Sequence, residues 1–384
     1  MSLSVLGISD YAPTPKWVVQ AVLQAIFRSF FAAKMYDVIF LEYGIDHVGE
    51  MKFMLWVVHP EISLITKIDK VHSSQFENTD VTAFEKYQLV QSTSQKVYLN
   101  LDDVYAKKYE SSIFADKIWY STNISDQEKD LTLSGKNLEV FLQDTLPKSR
   151  FDFYKNGEKK LSVSSNSLWN ENVWYISIAY DVVEYLYQKW YKQSFFEKNK
   201  NTLLHTEFEL QPSRFSLLQA INGNVIIDSS YNAAPESMNT VLDNVVSLQQ
   251  KVYGEYEIIL VLWEMRELWE YSQKEHQKLA QKALSISKNI FLVGCDMQKY
   301  AVPEFEQSLI PVKMYPNSYL LWKDLRKFLE ENSQKKYLIL FKWSQNTIFL
   351  EEAVKWCLAN PQDEKLLCRQ ESFWQEKKQL FFKK

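Results

Sequence analysis

Short apolar runs, each ending in a polar turn and leading into apolar positions at helical spacing, recur along this chain. Strands are predicted at Ser4–Ile8, Asp37–Leu41, Pro60–Ile68, Asn224–Ile227, Glu257–Leu262, Asn289–Val293 and Lys336–Phe341. Thr14 to Lys34 reads as a helix with Val18, Val19, Val22, Leu23 and Ile26 on its apolar side. Ser167 to Lys189 reads as loop and helix, and a third helix starts at Pro235 with Met238, Val241, Leu242 and Val245 on one face. Residues 104 to 165 alternate apolar and charged segments with turns at Asn156-Gly157 and Asn166, which predicts a small antiparallel addition to the sheet. Strands alternating with helices imply an α/β fold with mostly parallel sheets. The charged stretch Glu197–Asn201 suggests a linker, so a domain boundary is expected near 205, giving domains 1–205 and 206–384, the second Rossmann-like. The tail from Gln362 is charged and aromatic, as in an amphipathic surface helix.

Composition narrows the function classes. A chain of 384 residues with 46% hydrophobic and 15% aromatic residues can bury the cores of two or three domains. The net charge of −4 gives no bulk attraction for nucleic acid. Cys295, Cys357 and Cys368 match no disulfide or zinc spacing. No signal peptide and no membrane-spanning apolar run is recognisable, and a reducing cytoplasm is the expected compartment.

The most informative stretch is Asp228-Ser229-Ser230-Tyr231-Asn232-Ala233-Ala234-Pro235-Glu236-Ser237-Met238. Its polar start lies where a parallel strand ends, the ligand-facing edge of an α/β sheet. The string resembles the D-D-x-Y-N-A-N-P-x-S-M signature of Mur ligases, and more narrowly that of the branch that adds D-alanyl-D-alanine to the peptidoglycan precursor. Ser229 and Ala234 depart from the signature.

Further segments carry the same resemblance. Gly7 to Lys16 occupies the place of the family's G-x-T-G-x-x-G-K-T-T phosphate loop, but Asp10 and Pro13 replace glycines and Thr14 replaces the lysine. Pro13 offers no N–H and Asp10 repels phosphate, so the loop is degenerate, with Lys16 as a substitute cation. Glu42-Tyr43-Gly44 with Gly49-Glu50-Met51 resembles E-x-G-x-x-x-x-G-E, whose first Glu holds magnesium. Pro60 to His72 resembles P-x-x-x-x-I-T-N-I-x-x-x-H, with Lys67 for the Asn. Lys86 falls in register with a lysine that the family carbamylates, although Gln88 replaces the Glu that follows it. Asn100-Leu101-Asp102-Asp103 resembles the N-x-D-D strand end. Asn172-Val173 falls in the adenine-side segment, and Phe208 to Arg214 resembles the domain hinge, whose Arg reaches the phosphates. Met265 with His276 downstream resembles G-D-M-x-E-L-G and its His, and Lys342-Trp343-Ser344 resembles K-G-S.

The resemblance implies a P-loop-NTPase-like central domain, a Rossmann-like C-terminal domain and no domain before residue 4 to grip the uridine nucleotide. It implies an ATP-dependent amide ligase acting on a UDP-N-acetylmuramoyl-peptide and a D-alanyl-D-alanine-like dipeptide, with a partner polypeptide as one source of the missing domain. Glu42, His72 and carbamylated Lys86 would hold Mg2+, with Thr14 as a weak ligand. Lys16, Asn172, Arg214, Asp228, Tyr231 and Asn232 would line ATP, and Lys86 and His72 would be the catalytic pair. The rival is a catalytically impaired relative serving as binding or scaffolding partner of a complete ligase, favoured by the degenerate loop. A third option, an amide ligase for another small substrate, has no sequence feature of its own.

One imbalance concerns the gene. Average usage of about 7% would give roughly 27 glycines, whereas the chain has 8, against 12 Trp. Trp169, Trp263, Trp269 and Trp343 stand where the family motifs have Gly. Trp is the poorest steric substitute for Gly at tight turns. The expectation is that these codons are UGA, which some bacterial lineages read as glycine. Sequencing the gene checks this, and UGG at all four positions refutes it.

Overall fold

A computed structural model describes residues 36–68, 76, 78–121, 131–143, 146–168, 170–208, 212–231, 233–266, 268–342 and 349–382. Two compact units partition the chain: residues 1–135, 153–159 and 174–195, and residues 136–152, 160–173 and 196–384.

In the first unit, helix α1 (Glu50–Val57) precedes strand β1 (Ile62–Ile65), helix α2 (Thr79–Gln91), strand β2 (Lys96–Asn100), helix α3 (Val104–Tyr109) and strand β3 (Asp116–Tyr120). The strands form a parallel sheet in the order β1-β2-β3, with Ile62 beside Lys96 and Lys96 beside Asp116. The Asn78 side chain accepts the Val81 N–H at 3.0 Å and starts α2. Ala83, Tyr87 and Val90 then share one face of the helix and pack with Ile65, Val97, Leu99 and Trp119.

Helix α4 (Asn170–Tyr191) bears a wholly buried carboxylate, Asp181. Tyr98 Oη donates to it at 2.8 Å, Lys155 Nζ lies at 2.5 Å and Lys96 Nζ at 3.6 Å. An unpaired charge there would cost several kcal/mol, and the two ammonium groups and the phenol remove that penalty.

One sequence expectation fails here and another holds only in part. Asp37–Leu41 is not a strand: Ile39 is 47% and Phe40 82% exposed, and no described strand pairs with the segment. An apolar run becomes a strand only when a ladder partner takes its N–H and C=O groups. Residues 104–165 carry a hairpin at the expected Asn156-Gly157 turn, but not as an addition to this sheet. They supply α3 and parallel β3, then β4 (Leu133–Gln143), β5 (Leu146–Lys155) and β6 (Glu158–Ser165) of a separate four-stranded sheet ordered β4-β5-β6-β7. Strand β7 is Leu203–Thr206 and lies parallel to β6. The expected linker, Glu197–Asn201, begins within the short helix α5 (Phe195–Asn199), which leads into β7. Asn156 and Gly157 have φ of 52° and 78°, the left-handed pair of a tight hairpin between β5 and β6.

The second unit holds a six-stranded sheet in the order β12-β11-β10-β13-β9-β8. Its strands are β8 (Ser216–Gln219), β9 (Val225–Ser229), β10 (Glu257–Trp263), β11 (Asn289–Val293), β12 (Val312–Tyr315) and β13 (Tyr337–Lys342). All neighbours are parallel except the edge pair β8–β9. Alternate strand residues enter opposite cores. Ile227, Leu260, Leu262, Leu292 and Leu340 pack with helices α6 (Pro235–Lys251), α7 (Ser272–Ile286) and α8 (Val302–Gln307). Ile226, Ile259, Val261, Phe291 and Phe341 pack with α9 (Ser318–Glu331) and α10 (Leu350–Lys355). Helix α11 (Ser372–Phe382) ends the described chain. The chain order reverses direction across β10 and β13, so the crevice beyond their C-terminal ends is the ligand position of a doubly wound sheet.

Trp263 ends β10 fully buried, whereas Trp269 is 76% exposed and has φ of 46°. Trp169 and Trp343 lie outside the described residues. A left-handed conformation costs a non-glycine residue roughly 1–2 kcal/mol. Trp269→Gly is therefore expected to raise stability by about 1 kcal/mol after glycine's entropic penalty. Urea denaturation measures this, and a lower midpoint refutes the strain at this position.

Candidate functional site

In the first unit the strand ends are tied together by their own polar groups. Asn100 Nδ2 donates to Thr66 O at 2.6 Å, joining the end of β2 to the end of β1. Tyr120 Oη donates to Ile65 O at 2.9 Å, and Ser121 Oγ donates to Asp102 Oδ1 at 2.7 Å. Asp103 accepts the Tyr105 N–H at 3.1 Å as the cap of α3, and its other oxygen accepts Tyr87 Oη at 2.9 Å. Asn100-Leu101-Asp102-Asp103 thus holds the sheet's C-terminal rim in register.

Lys86 sits on α2 beside Tyr87 and is half-buried. Burial holds its amine below the ordinary lysine range, and the Asp103 carboxylate pulls it partly back up. A lowered pKa leaves a larger fraction of this amine neutral than in an exposed lysine. Glu42 is exposed in an irregular run. Thr14, Lys16, His72 and Asn232 lie outside the described residues. Among the described residues no group of three His, Cys, Asp or Glu side chains is arranged to hold a metal ion.

In the second unit the signature stretch lies at the C-terminal end of β9. Asp228 has no exposed surface. Its Oδ2 accepts Ser213 Oγ at 2.6 Å and its Oδ1 accepts the Ser230 N–H at 3.1 Å. Burial raises its pKa above the usual aspartate value, against the two serine contacts and the Arg369 charge. Asp228 therefore supports the turn from within, and Arg214 and Tyr231 form its exposed face. The Arg214 guanidinium stands 4.4 Å from the Tyr231 ring centroid, a cation–π pair. Tyr231 is 40% exposed, and its N–H donates to Ser213 O at 3.1 Å. Arg214 is exposed between Ser213 and Phe215, whose φ values of 60° and 68° are both left-handed. Such strain persists only where neighbouring contacts over-determine the backbone, and it collects at ligand sites.

Helix α6 begins as the sequence implies. Pro235 occupies its first turn, and the Ser237 hydroxyl accepts the Ala234 N–H at 3.0 Å. At the neighbouring strand ends, Gly294 has φ of 109°, and a Cβ there would lie 2.5 Å from Glu264 Oε2. Glu264 accepts the Asp296 N–H at 3.1 Å. His276 is buried: its Nε2 accepts the Met265 N–H at 3.0 Å, and Nδ1 lies 2.7 Å from Ser272 O. It pins the loop after β10 rather than facing a ligand. Lys342, at the end of β13, is buried with Nζ 3.3 Å from Ser229 Oγ. Asn172 is half-buried in the first turn of α4.

The described structure therefore brings together Arg214, Asp228 and Tyr231. Lys342 and Arg369 join them, and the sequence motifs assign neither a role. Lys342 stands in a short motif resembling K-G-S, whereas Arg369 lies in a charged tail with no local signal.

Residues 21–168 match the family model described as Mur ligase middle domain. The chain is 28% identical over 261 residues to a UDP-N-acetylmuramoyl-tripeptide--D-alanyl-D-alanine ligase of Borreliella burgdorferi, covering 66% of this chain and 50% of the relative. It is 31% identical over 153 residues to the enzyme of the same name from Bacillus subtilis, covering 38% and 31%. Among solved structures, the MurF ligase of Thermotoga maritima in complex with ADP superposes with a TM-score of 0.60 at 14% identity, covering 81% of this chain and 64% of that one. The chain thus spans half or less of these curated relatives, and the structural match shows a shared fold.

Lys342 yields a pH test. Burial pushes its amine down to about 8, helped by the Arg214 charge and opposed by Asp228. The unfolded chain holds this proton up to the ordinary lysine value near 10.5, so it binds more protons than the folded chain between about pH 8 and 10.5. The contribution to stability is full above the upper value and is lost as pH falls through about 8. Urea denaturation across that window should show a rise with pH in the parent relative to Lys342→Met; parallel curves refute it.

Proposed function

We propose that this chain, whose residues 21–168 match a Mur ligase middle domain and which shares the Mur ligase fold, is an ATP-dependent amide ligase of peptidoglycan precursor synthesis. The observation that carries the reading is Lys86. Fourteen positions after His72 in the sequence, the family's spacing places a carbamylated lysine; here that amine is half-buried and held below the ordinary range. The domains would be 1–205, a P-loop-NTPase-like central domain, and 206–384, a Rossmann-like C-terminal one.

In this reading the γ-phosphoryl group of ATP passes to a substrate carboxylate, giving an acyl phosphate and ADP. An incoming amine adds to the acyl carbon, loses a proton, and the tetrahedral intermediate expels inorganic phosphate as the amide forms. The substrates would be a UDP-N-acetylmuramoyl-peptide and a D-alanyl-D-alanine-like dipeptide, in the cytoplasm, with a partner polypeptide as one candidate for contributing to uridine-nucleotide binding.

Glu42, His72 and carbamylated Lys86, with Thr14, would hold Mg2+, which supplies positive charge against the phosphates. Lys86 and His72 are the catalytic candidates. Arg214 presents a guanidinium for a phosphate oxygen, with Tyr231 fixing its plane. Lys16, Asn172 and Asn232 complete the proposed nucleotide contacts, and Asp228 acts by holding the turn that carries Arg214. Support for ATP comes from the fold shared with a ligase solved with ADP.

The second reading, a catalytically impaired scaffolding partner of a complete ligase, is favoured by Asp10 and Pro13 in the phosphate loop. Removing one electrostatic donor from such a site costs about 3 kcal/mol of transition-state stabilisation. A calorimetric titration with magnesium-ATP separates the two. The ligase reading expects saturable binding below millimolar concentration and amide formation that falls at least a hundredfold in Lys86→Ala. No binding at millimolar ATP leaves the scaffold reading alone.

A further inference from the structure

The strained turn that carries Arg214 is closed by residues from the far end of the chain. The Cys368 N–H donates to Ser213 Oγ at 3.3 Å, the same hydroxyl that donates to Asp228. The Arg369 guanidinium stands 5.9 Å from the Tyr231 ring centroid and 5.7 Å from that of Trp374 on α11. Tyr231 thus has two guanidinium neighbours, Arg214 and Arg369. Arg369 is itself left-handed, with φ of 57°, as is Phe349 at the start of α10, with φ of 52°. Three non-glycine residues of this conformation, Ser213, Phe349 and Arg369, therefore belong to one contact network, a concentration of strain that needs external support.

The support is a buried charge cluster. Glu351 has no exposed surface and lies 3.5 Å from Arg369 Nη1 and 3.2 Å from Lys378 Nζ. Lys378, 3% exposed on a helix otherwise rich in exposed residues, also lies 2.8 Å from Glu352. Trp374 packs edge-on against Phe349 with centroids 6.4 Å apart. A lysine placed inward on a surface helix gives up its hydration and faces two carboxylates instead.

We infer that residues 368–378 form a clamp for the turn carrying Arg214 and Tyr231, with Arg369 as the positioning residue that transmits it. The clamp itself rests on the geometry above; its effect on ligand binding rests on the nucleotide reading of this turn.

Hydrogen exchange of the folded chain tests the clamp without ligand. The Tyr231 and Ser230 amides are bonded to Ser213 O and Asp228 Oδ1. In Arg369→Gln they should exchange about tenfold faster while the amides of β10 keep their protection, and Arg369→Lys should restore part of the difference. Unchanged exchange at 230 and 231, or equal acceleration throughout β10 in a folded variant, overturns the clamp. Should Arg369→Gln fail to fold, Trp374→Leu, which removes only the ring beside Arg369, must accelerate the same two amides at least threefold or the proposal falls. In magnesium-ATP titration Arg369→Gln should weaken binding about tenfold, and by less than twofold in a Tyr231→Leu background. Fully multiplicative effects overturn action through Tyr231. A parent that binds no magnesium-ATP sinks the nucleotide reading, while the exchange result still decides the clamp.

Discussion

A carboxylate without exposed surface, Asp228, is the constraint around which the second unit's functional edge is built. Burying it is unfavourable, and the serine hydroxyl, the backbone N–H and the Arg369 charge each oppose that cost. That requirement fixes where Ser213 lies. Ser213 in turn fixes a left-handed backbone on either side of Arg214, so an exposed guanidinium is presented by a rigid turn. Side-chain position at this edge follows from satisfying one buried charge.

The first unit applies the same physics with neutral groups. Asn100, Tyr120 and Ser121 satisfy carbonyls and a carboxylate at the ends of three parallel strands, so the rim does not fray. Tyr87, joined to Asp103 by a hydrogen bond, is the chain neighbour of Lys86, and the Asp103 carboxylate acts on the lysine's charge. The amine is depressed because its surroundings are built for packing, with a carboxylate close enough to moderate the effect. Order at the sheet's rim and the lowered pKa of the lysine come from the same neighbourhood.

Legibility in the sequence follows the range of the interactions involved. The strand exit at Asp228, Pro235 at the first helical turn and the buried Met238, Val241, Leu242 and Val245 are all readable, because each depends on neighbours within a few residues. Strands β9, β10, β11 and β13 are readable for the same reason, being apolar on both faces. Asp37–Leu41 misleads because an apolar run does not name its ladder partner. The region 104–165 misleads because alternation shows that a strand has two unlike faces but not which sheet it joins.

The amino-acid sequence by itself determined the α/β class, strands β9, β10, β11 and β13 of the second unit, the helix start at Pro235 and the family resemblance of the residues around Glu42, Lys86 and Asp228, since these reside in short-range spacing and residue chemistry. Only the tertiary structure decided that Asp228 is an internal support, that His276 pins a loop, and that Arg369 stands by Tyr231 despite their wide separation along the chain. A buried charge selects its partners by distance in space, and chain separation carries no record of that distance until the fold has closed.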